Sequence, residues 1–597
     1  MHTYSLPFLV CLCLATQLAT AQSTSAQPFC AVEPQAVQLL DFTQNTLAVT
    51  SAGAEVQHNQ GYHIKFTETE GHVIWSAPKG GWNWSEYVGI GIDLKNESDR
   101  TIRLVGQLED RPNSGSFILL PPQTEDRLVL YLRRKGLPED SSFADMRGIP
   151  GGHMAHWSIP DSNRIRSFQL HDIDGCGLNA TITVKAIYGL GKHGVLSHPG
   201  SDSFFPFINA YGQYKHGNWP GKIHSDSDLQ TAATTEQSDL TTHPGPDDRS
   251  QYGGWLNGPR LKATGHFRTE KHQGKWWLVD PEGYLFWSHG VTGVGGGALT
   301  TFKGRKHYFE AIPKAYIQSG HSVDFYKANI AKKYGNDWLN KSQALAHQRI
   351  RSWGMNTLGN WSDRDVCANQ RTPYVLPIHY NHRNGAAWKD PELLRKKLRA
   401  RLAQESAAAQ DPWCIGFFVD NELRWNEVMP PEDYFRIVYE EMRRAAPNKL
   451  YLGSRLHGEI KPEPARASAK YCDVIGVNRY RFSPSDLKIE AAVDKPIIIG
   501  EFHFGALDRG MLHPGLRGVG NQQQRNYAYR HYVTQALTHP NIVGTHWFQY
   551  REQAMSGRKD GENFQIGFVD IADTPYPELI TAARWIGEHM YPLRAKP

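Results

Sequence analysis

Three things are scarce in this sequence: cysteine, net charge and long hydrophobic runs. Only 7 of its 597 residues are cysteine, and none has the Cys-x-x-Cys spacing of a zinc or redox site. The net charge is +5 without a dense basic tract, which argues against a nucleic-acid partner. Beyond the N-terminus no hydrophobic run is long enough to cross a bilayer, so we expect no membrane insertion.

The N-terminus has the pattern of a targeting segment. An apolar run over residues 6–14 precedes Ala19-Thr20-Ala21, the small-residue pattern at which signal peptides are cut. We therefore expect residues 1–21 to be a signal peptide and the mature protein to be secreted or periplasmic. Of the cysteines that remain, Cys30 and Cys176 either pair with each other or are buried free thiols.

Aromatic residues, in contrast, are plentiful. The chain has 17 Trp and 26 Tyr, and flat rings of this kind stack on the faces of sugars. The number fits a carbohydrate-binding protein, although a large hydrophobic core also uses such residues.

Residues 22–191 consist of short runs in which apolar and polar residues alternate, separated by turn residues. Alternation with a period of two and no amphipathic helix predicts an antiparallel β-sandwich similar to a carbohydrate-binding module. Residues 192–259 are rich in Gly, Pro, Ser, Asp and His. We expect them to form a long connection that lies against the next domain, without a packed element of its own.

In residues 260–597 the pattern changes to apolar strands that alternate with amphipathic helices, which is typical of parallel β/α units. Eight such units predict a (β/α)8 TIM barrel, so the fold class is multidomain α/β. The predicted strands are residues 285–294, 355–360, 374–380, 414–419, 450–454, 474–480, 496–501 and 542–550.

Two glutamates follow apolar strands of the predicted barrel. Glu422 comes after strand four and Glu501 ends strand seven, and active sites of TIM barrels lie at these strand ends. Hydrolysis of a glycosidic bond needs two such carboxyl groups, one to protonate the leaving oxygen and one to attack the anomeric carbon or activate water. Strands four and seven place the pair across the barrel mouth, which favours the short separation of a retaining enzyme.

Other polar and aromatic residues at strand ends are candidates for substrate contacts. Asn421, beside Glu422, is suited to bind a sugar hydroxyl, and the hydroxyl of Tyr480 is suited to hold the nucleophile ionised. Trp547 is a candidate sugar platform, although strand interiors also bury tryptophan. The remaining candidates, each of which also has a structural interpretation, are Asn360, His379, Asn478 and His503.

Two motifs that would indicate a cofactor or a metal are incomplete. The segment Gly293-Val-Gly-Gly-Gly-Ala298 lacks the acidic residue that a dinucleotide site needs about 20 residues further on. No pair of histidines has the His-Glu-x-x-His spacing of a zinc hydrolase. We therefore expect neither a cofactor nor a catalytic metal.

The catalytic half resembles the β-agarases of glycoside hydrolase family 50, which are retaining enzymes of clan A with a TIM barrel. The resemblance lies in the stretches Phe205-Pro-Phe-Ile, Gly212-Gln-Tyr-Lys, Gly354-Met-Asn-Thr-Leu-Gly-Asn-Trp, Val419-Asp-Asn-Glu, Gly500-Glu-Phe-His-Phe-Gly-Ala-Leu-Asp-Arg-Gly and Asp560-Gly-Glu-Asn-Phe-Gln-Ile-Gly-Phe-Val-Asp. It implies cleavage of β-1,4 bonds between galactose and 3,6-anhydrogalactose, with Glu422 as acid/base and Glu501 as nucleophile.

One departure from the family bears on the substrate. Residues 423–431 lead almost directly into a helix, where agarases of this family carry a long insertion beside the substrate groove. Endo and exo action are therefore both open, as is another red-algal galactan such as porphyran or a carrageenan-like polymer, or a β-galactoside. A glycan-binding protein without activity is a more remote alternative.

Overall fold

The computed structural model describes residues 36–111, 114–134, 143, 145–150, 152–154, 160–192, 204–380, 385–458, 460–489 and 493–596. The predicted signal peptide and Cys30, and with Cys30 the predicted pairing to Cys176, lie outside these residues. The four described cysteines form no disulfide with one another. No helix in the described ranges is long and apolar enough to cross a membrane.

The N-terminal strands form two large antiparallel sheets and one small sheet. The strands are β1 (Val37–Asp41), β2 (Ala48–Ala52), β3 (Ala54–His58), β4 (Tyr62–Phe66), β5 (His72–Ser76), β6 (Tyr87–Asn96), β7 (Ile102–Leu108), β8 (Ser116–Leu120), β9 (Glu125–Tyr131), β10 (Arg133–Arg134), β11 (Gly148–Ile149), β12 (Gly152–Met154), β13 (Ser167–Asp172) and β14 (Thr181–Lys192).

The two large sheets share one hydrophobic core. One sheet has the order β3-β4-β14-β6-β9, with β1 also pairing with β14, and the other contains β2-β5-β13-β7-β8. Ile64 and Ile92 of the first sheet and Leu104 of the second are fully buried in this core. The rings of Trp75 and Phe168 stack there with centroids 4.7 Å apart. The predicted antiparallel sheet domain is thus confirmed.

The segment predicted to be a connection contains a helix, so the prediction that it has no packed element is wrong. Helix α1 (Asp226–Thr242) begins with a capping box between Ser225 and Asp228. It is held partly by charge: Glu236 lies 2.5 Å from the guanidinium of Arg349 in a buried ion pair. Only Leu229, Glu236 and Leu240 are buried along it, so the segment has no apolar stripe to predict a helix.

The C-terminal part alternates strands and helices as predicted. Its strands are β15 (Arg268–His272), β16 (Lys275–Val279), β17 (Leu285–Phe286), β18 (Ser288–Val291), β19 (Leu299–Thr301), β20 (Ile317–Gln318), β21 (Ser322–Asp324), β22 (Thr357–Leu358), β23 (Tyr374–Ile378), β24 (Cys414–Val419), β25 (Leu450–Tyr451), β26 (Leu456–His457), β27 (Ile475–Asn478), β28 (Ile497–Phe502), β29 (Gly518–Val519) and β30 (Ile542–Trp547). Its helices are α2 (Phe325–Tyr334), α3 (Trp338–Ser352), α4 (Arg364–Ala368), α5 (Ala386–Lys389), α6 (Pro391–Ala403), α7 (Ser406–Gln410), α8 (Pro431–Ala445), α9 (Pro462–Tyr471), α10 (Gln522–Thr538) and α11 (Pro577–Ala595).

Nine of these strands form one curled parallel sheet, in the order β25-β24-β23-β22-β18-β30-β28-β27-β26. Each of the eight predicted strand segments contains a strand of this sheet. The two edge strands, β25 and β26, come from one short segment, residues 450–457. The carboxyl ends of parallel strands meet at one edge, so residues that follow these strands gather in one place.

The two parts of the chain are joined by a strand. After β28 the chain runs to β29, which pairs in parallel with β8 of the N-terminal sheet. The hydroxyl of Tyr131 on β9 also donates to the carbonyl of Val519, at 2.7 Å. The N-terminal domain thus holds a loop that follows one of the strands on which the candidate site is built.

Candidate active site

A cavity of about 770 Å³ lies at the carboxyl ends of β24, β27 and β28. It is lined by Trp361, Asn421, Glu422, His457, Gly458, Asn478, Arg479, Tyr480, Arg481, Glu501, His503, Leu516, Arg517, Phe548, Gln549, Arg558, Lys559, Asp560, Glu562 and Phe564.

A tight backbone turn after β24 presents Glu422 to this cavity. Asp420 and Glu422 both have positive φ, 60° and 52°, which is uncommon for residues with a side chain. The buried carboxylate of Asp420 fixes the turn, because it accepts hydrogen bonds from Tyr380 at 2.5 Å, Tyr434 at 2.8 Å and Trp388 at 3.2 Å. Burial raises the pKa of Asp420 to about 6. Sequence reasoning did not identify Asp420 as a support of the site.

One amide group bridges the two predicted catalytic carboxylates. Nδ2 of Asn478 donates to Oε1 of Glu422 at 2.6 Å and to Oε2 of Glu501 at 3.1 Å. These two oxygens are therefore no more than about 6 Å apart, below the ~6.5–9.5 Å that separates the carboxyl groups of inverting glycosidases. Burial and, next, the charge of Glu501 raise the pKa of Glu422, which favours its protonated form.

Glu501 accepts hydrogen bonds from several further donors. The hydroxyl of Tyr480 donates to Oε2 at 2.7 Å, and Nη2 of Arg455 lies 2.6 Å from Oε1. The indole N–H of Trp361 donates to the same Oε1 at 3.3 Å. The guanidinium of Arg455 is fully buried and also donates to Oδ1 of Asn478, at 3.0 Å. Glu501 is thus held in one orientation by these donors.

The structure brings five of the predicted residues together at this cavity: Asn421, Glu422, Asn478, Tyr480 and Glu501. His503 lines it as well, but backbone groups occupy both of its ring nitrogens. Nε2 accepts from the N–H of Leu516 at 2.8 Å, so Nδ1 carries the proton and donates to the carbonyl of Phe548 at 3.1 Å. Burial lowers the pKa of His503 to about 3, so the ring is neutral. His503 thus lies in the cavity wall in a fixed orientation, and its contact with a sugar stays a prediction.

The prediction that Trp547 is a sugar platform is wrong. Trp547 is fully buried, its indole N–H donates to the carbonyl of Ile566 at 2.7 Å, and it does not line the cavity. Trp361 lines the cavity instead and is 36% exposed. His379 lies behind it, stacked on its ring at 5.0 Å, and Asn360 is buried. Neither of these two predicted residues lines the cavity.

Two observations concern the metal and dinucleotide motifs of the sequence. In the described parts of the chain, no three His, Cys, Asp or Glu side chains are arranged to hold a metal ion. In the glycine-rich segment, the carbonyl of Gly293 accepts a hydrogen bond from Arg551 at 2.7 Å, so this loop is bound by the protein itself.

Comparison with known proteins identifies similar enzymes. No family model matches the chain. Beta-agarase B of Vibrio sp. (strain JT0107) is 27% identical over 695 residues, which cover 89% of this chain and 72% of that protein. Beta-agarase A of the same strain is 26% identical over 668 residues, which cover 86% of this chain and 66% of that protein.

Solved structures agree with these relatives. The crystal structure of an agarase, AgWH50C, has a TM-score of 0.73 at 27% identity and covers 94% of this chain and all of its own. The structure of an exo-beta-agarase has a TM-score of 0.74 over 94% of this chain; at 23% identity it supports the fold alone. The two Vibrio relatives and AgWH50C confirm, over most of the chain, its resemblance to the β-agarases of glycoside hydrolase family 50.

Proposed function

We propose that the chain is a retaining glycoside hydrolase that cleaves β-1,4-galactosidic bonds in agarose or agaro-oligosaccharides and releases neoagaro-oligosaccharides. The observation that carries this proposal is the pair of carboxylates that Asn478 bridges, at 2.6 and 3.1 Å, in a cavity at the strand ends. The similarity to agarases supports the polysaccharide substrate.

In the proposed mechanism, Glu422 begins as the acid and Glu501 as the nucleophile. Glu422 protonates the departing glycosidic oxygen while the carboxylate of Glu501 attacks the anomeric carbon and forms a glycosyl ester. Glu422, now ionised, then takes a proton from water, which attacks the same carbon and releases Glu501. The raised pKa of Glu422 suits it to the first step. The contacts from Tyr480 and Arg455 hold the carboxylate of Glu501 in a fixed orientation for its attack.

We propose that the parallel sheet closes into a (β/α)8 barrel in which strand five is interrupted. Residues between β25 and β26 form backbone hydrogen bonds with β24. The N–H of Leu452 donates to the carbonyl of Phe417 at 2.9 Å, and the N–H of Val419 donates to the carbonyl of Gly453 at 3.0 Å. On the side of β27, the N–H of Asp473 donates to the carbonyl of Tyr451 at 3.0 Å. These bonds support closure of the sheet through residues 450–457.

We propose a domain organisation that is compatible with this architecture. We assign residues 22–191 to the β-sandwich domain, 192–259 to a segment packed on the barrel and 260–597 to the catalytic barrel. We also propose that residues 1–21 are removed on export, so that the enzyme acts outside the cytosol, where a polymeric substrate is present. N-terminal sequencing of the secreted protein tests this, with Gln22 as the expected first residue.

The experiment that tests the proposed function compares four proteins on agarose: the wild type, Glu422→Gln, Glu501→Gln and Glu427→Gln. Glu427 is an exposed residue after the same strand and serves as the matched control. We expect the wild type and the control to release even-numbered neoagaro-oligosaccharides at rates within about twofold of each other. Each of the other two variants should lose roughly a thousandfold or more. If Glu501→Gln retains most of the activity, the nucleophile assignment is wrong.

A further inference from the structure

One edge of the cavity is a tight hairpin in the chain that follows β30. We call residues 558–564 the lip, and its cavity-lining residues are Arg558, Lys559, Asp560, Glu562 and Phe564. The N–H of Arg558 donates to the carbonyl of Glu562 at 2.9 Å and closes the hairpin. The guanidinium of Arg558 also pairs with Asp560 at 2.8 Å and with Glu562 at 2.6 Å. The two basic and two acidic side chains of the lip therefore balance in charge.

The N-terminal domain holds this lip through a short segment, residues 145–149, which we call the strap. The side-chain amide of Asn563 is fully buried between the two. Its Oδ1 accepts from the N–H of Gly148 at 2.7 Å, and its Nδ2 donates to the carbonyl of Gly148 at 2.8 Å. The same Nδ2 donates to the carbonyl of Met555 at 2.8 Å. Asn563 thus ties the lip both to the strap and to the start of its own loop.

The backbones of the strap and the lip approach each other closely. The N–H of Arg147 donates to the carbonyl of Gly561 at 2.9 Å. Gly561 has a φ of 85°, and a methyl group there would collide with the carbonyl oxygen of Asp145. A methyl group at Gly148 would lie 2.6 Å from the carbonyl oxygen of Leu512, in the loop after β28. The strap is therefore packed between two loops that both contribute residues to the cavity.

Another part of the N-terminal domain holds the loop after β27. Oγ of Ser485 donates to Oδ1 of Asp174 at 2.5 Å, and the rings of Phe117 and Phe482 stack with centroids 6.2 Å apart. Phe482 directly follows Arg481, which lines the cavity. With the pairing of β29 and β8, the N-terminal domain contacts the loops after β27, β28 and β30. These three loops form one side of the cavity.

We propose that the N-terminal domain positions the lip, with Asn563 as the positioning residue, so that the lip binds hydroxyl groups of a sugar unit beside the cleaved bond. This inference rests on the proposed function and gives the N-terminal domain a part in shaping the active site. A sugar hydroxyl both donates and accepts hydrogen bonds, so a lip with paired donors and acceptors suits a neutral galactan. A lip that is already held in place costs less conformational entropy when the sugar binds.

The test uses two variants of the lip, each with a matched control. Asn563→Ala removes the amide, and Asn96→Ala is its control, because the buried amide of Asn96 also donates to backbone carbonyls but within the N-terminal domain. Gly561→Ala pushes the strap away. Its control is Gly274→Ala, because Gly274 also has a positive φ, 79°, but a methyl group there meets no atom within 4 Å.

Two measurements are made on the wild type and the four variants. The rate of trypsin cleavage after Arg558 and Lys559, followed by mass spectrometry without substrate, reports how often the lip opens. The values of kcat and KM on an agaro-oligosaccharide report how well the lip binds the sugar. Melting temperatures show whether a variant and its control lose the same overall stability.

We expect both lip variants to speed this cleavage by roughly fivefold or more and to raise KM by about tenfold, with kcat changed by less than about threefold. Both controls should stay within about twofold of the wild type in cleavage and in KM. Equal changes in variants and controls, or lip variants that behave as the wild type, would overturn the inference and leave the proposed function intact. A wild type that cleaves no agaro-oligosaccharide contradicts the proposed function, while faster trypsin cleavage in the lip variants alone would still support the contact between strap and lip.

Discussion

Replacement of Asn478 by alanine removes the amide that bridges the two carboxylates. Its bonds to Glu422 and Glu501 measure 2.6 and 3.1 Å, and hydrogen bonds to charged groups contribute about 1.5–3 kcal/mol. Loss of one such bond in the transition state corresponds to a fall in kcat of roughly 10- to 150-fold. The same bond lowers the pKa of Glu422, so its loss raises that pKa further.

The assay is the pH dependence of kcat/KM. Glu422 must be protonated to act as the acid, so activity declines as the pH rises through its pKa, and the basic limb of the profile reports it. In Asn478→Ala this limb should move to higher pH. Tyr480→Phe is the matched control, because it removes a bond to Glu501 only and should reduce the rate without moving the limb. A basic limb that stays in place in Asn478→Ala would refute the reasoning.

Two further predictions concern residues that sequence reasoning placed differently or missed. Trp361→Ala should raise KM by about tenfold with a smaller effect on kcat, while Trp361→Phe keeps the ring and most of the affinity; equal effects of both would argue against stacking on a sugar. Asp420→Asn tests the turn after β24. Because burial raises the pKa of Asp420 to about 6, from about 3.9 in an unfolded chain, its contribution to stability is lost as the pH rises through this range. We measure the free energy of unfolding in urea at pH 4 and at pH 7. Between these two values it should therefore fall by up to about 3 kcal/mol more in the wild type than in Asp420→Asn. Parallel pH profiles of the two proteins would contradict this.

Much of the fold could be predicted because the spacing of apolar residues along the chain indicates which segments form strands. Alternating runs such as β6 and β7 predicted antiparallel sheets, and the apolar strands of the second part predicted a parallel sheet. Helix α1 was missed because charge and a capping box hold it, and a polar helix has no periodic apolar stripe.

The part of the candidate site that lies at the ends of strands could be predicted from the sequence. Glu422 follows the buried strand β24 and Glu501 lies near the end of the buried strand β28, so their convergence was predictable from the order of the strands alone. Which aromatic ring faces the cavity was not, because burial depends on how strands pack: Trp547 is fully buried and Trp361 is 36% exposed. The contact between Arg455 and Glu501 was not predicted either. Arg455 lies between β25 and β26 with a φ of 56°, a backbone conformation that no sequence pattern reveals.

The central claim is that Glu422 and Glu501 act together by double displacement, with retention at the anomeric carbon. Proton NMR of the first products from an agaro-oligosaccharide tests it most directly, before mutarotation mixes the anomers. We predict that the β anomer of the new reducing end appears first and that the α anomer grows in later. If the α anomer appears first, the reaction inverts, and Glu501 does not form a covalent bond to the sugar.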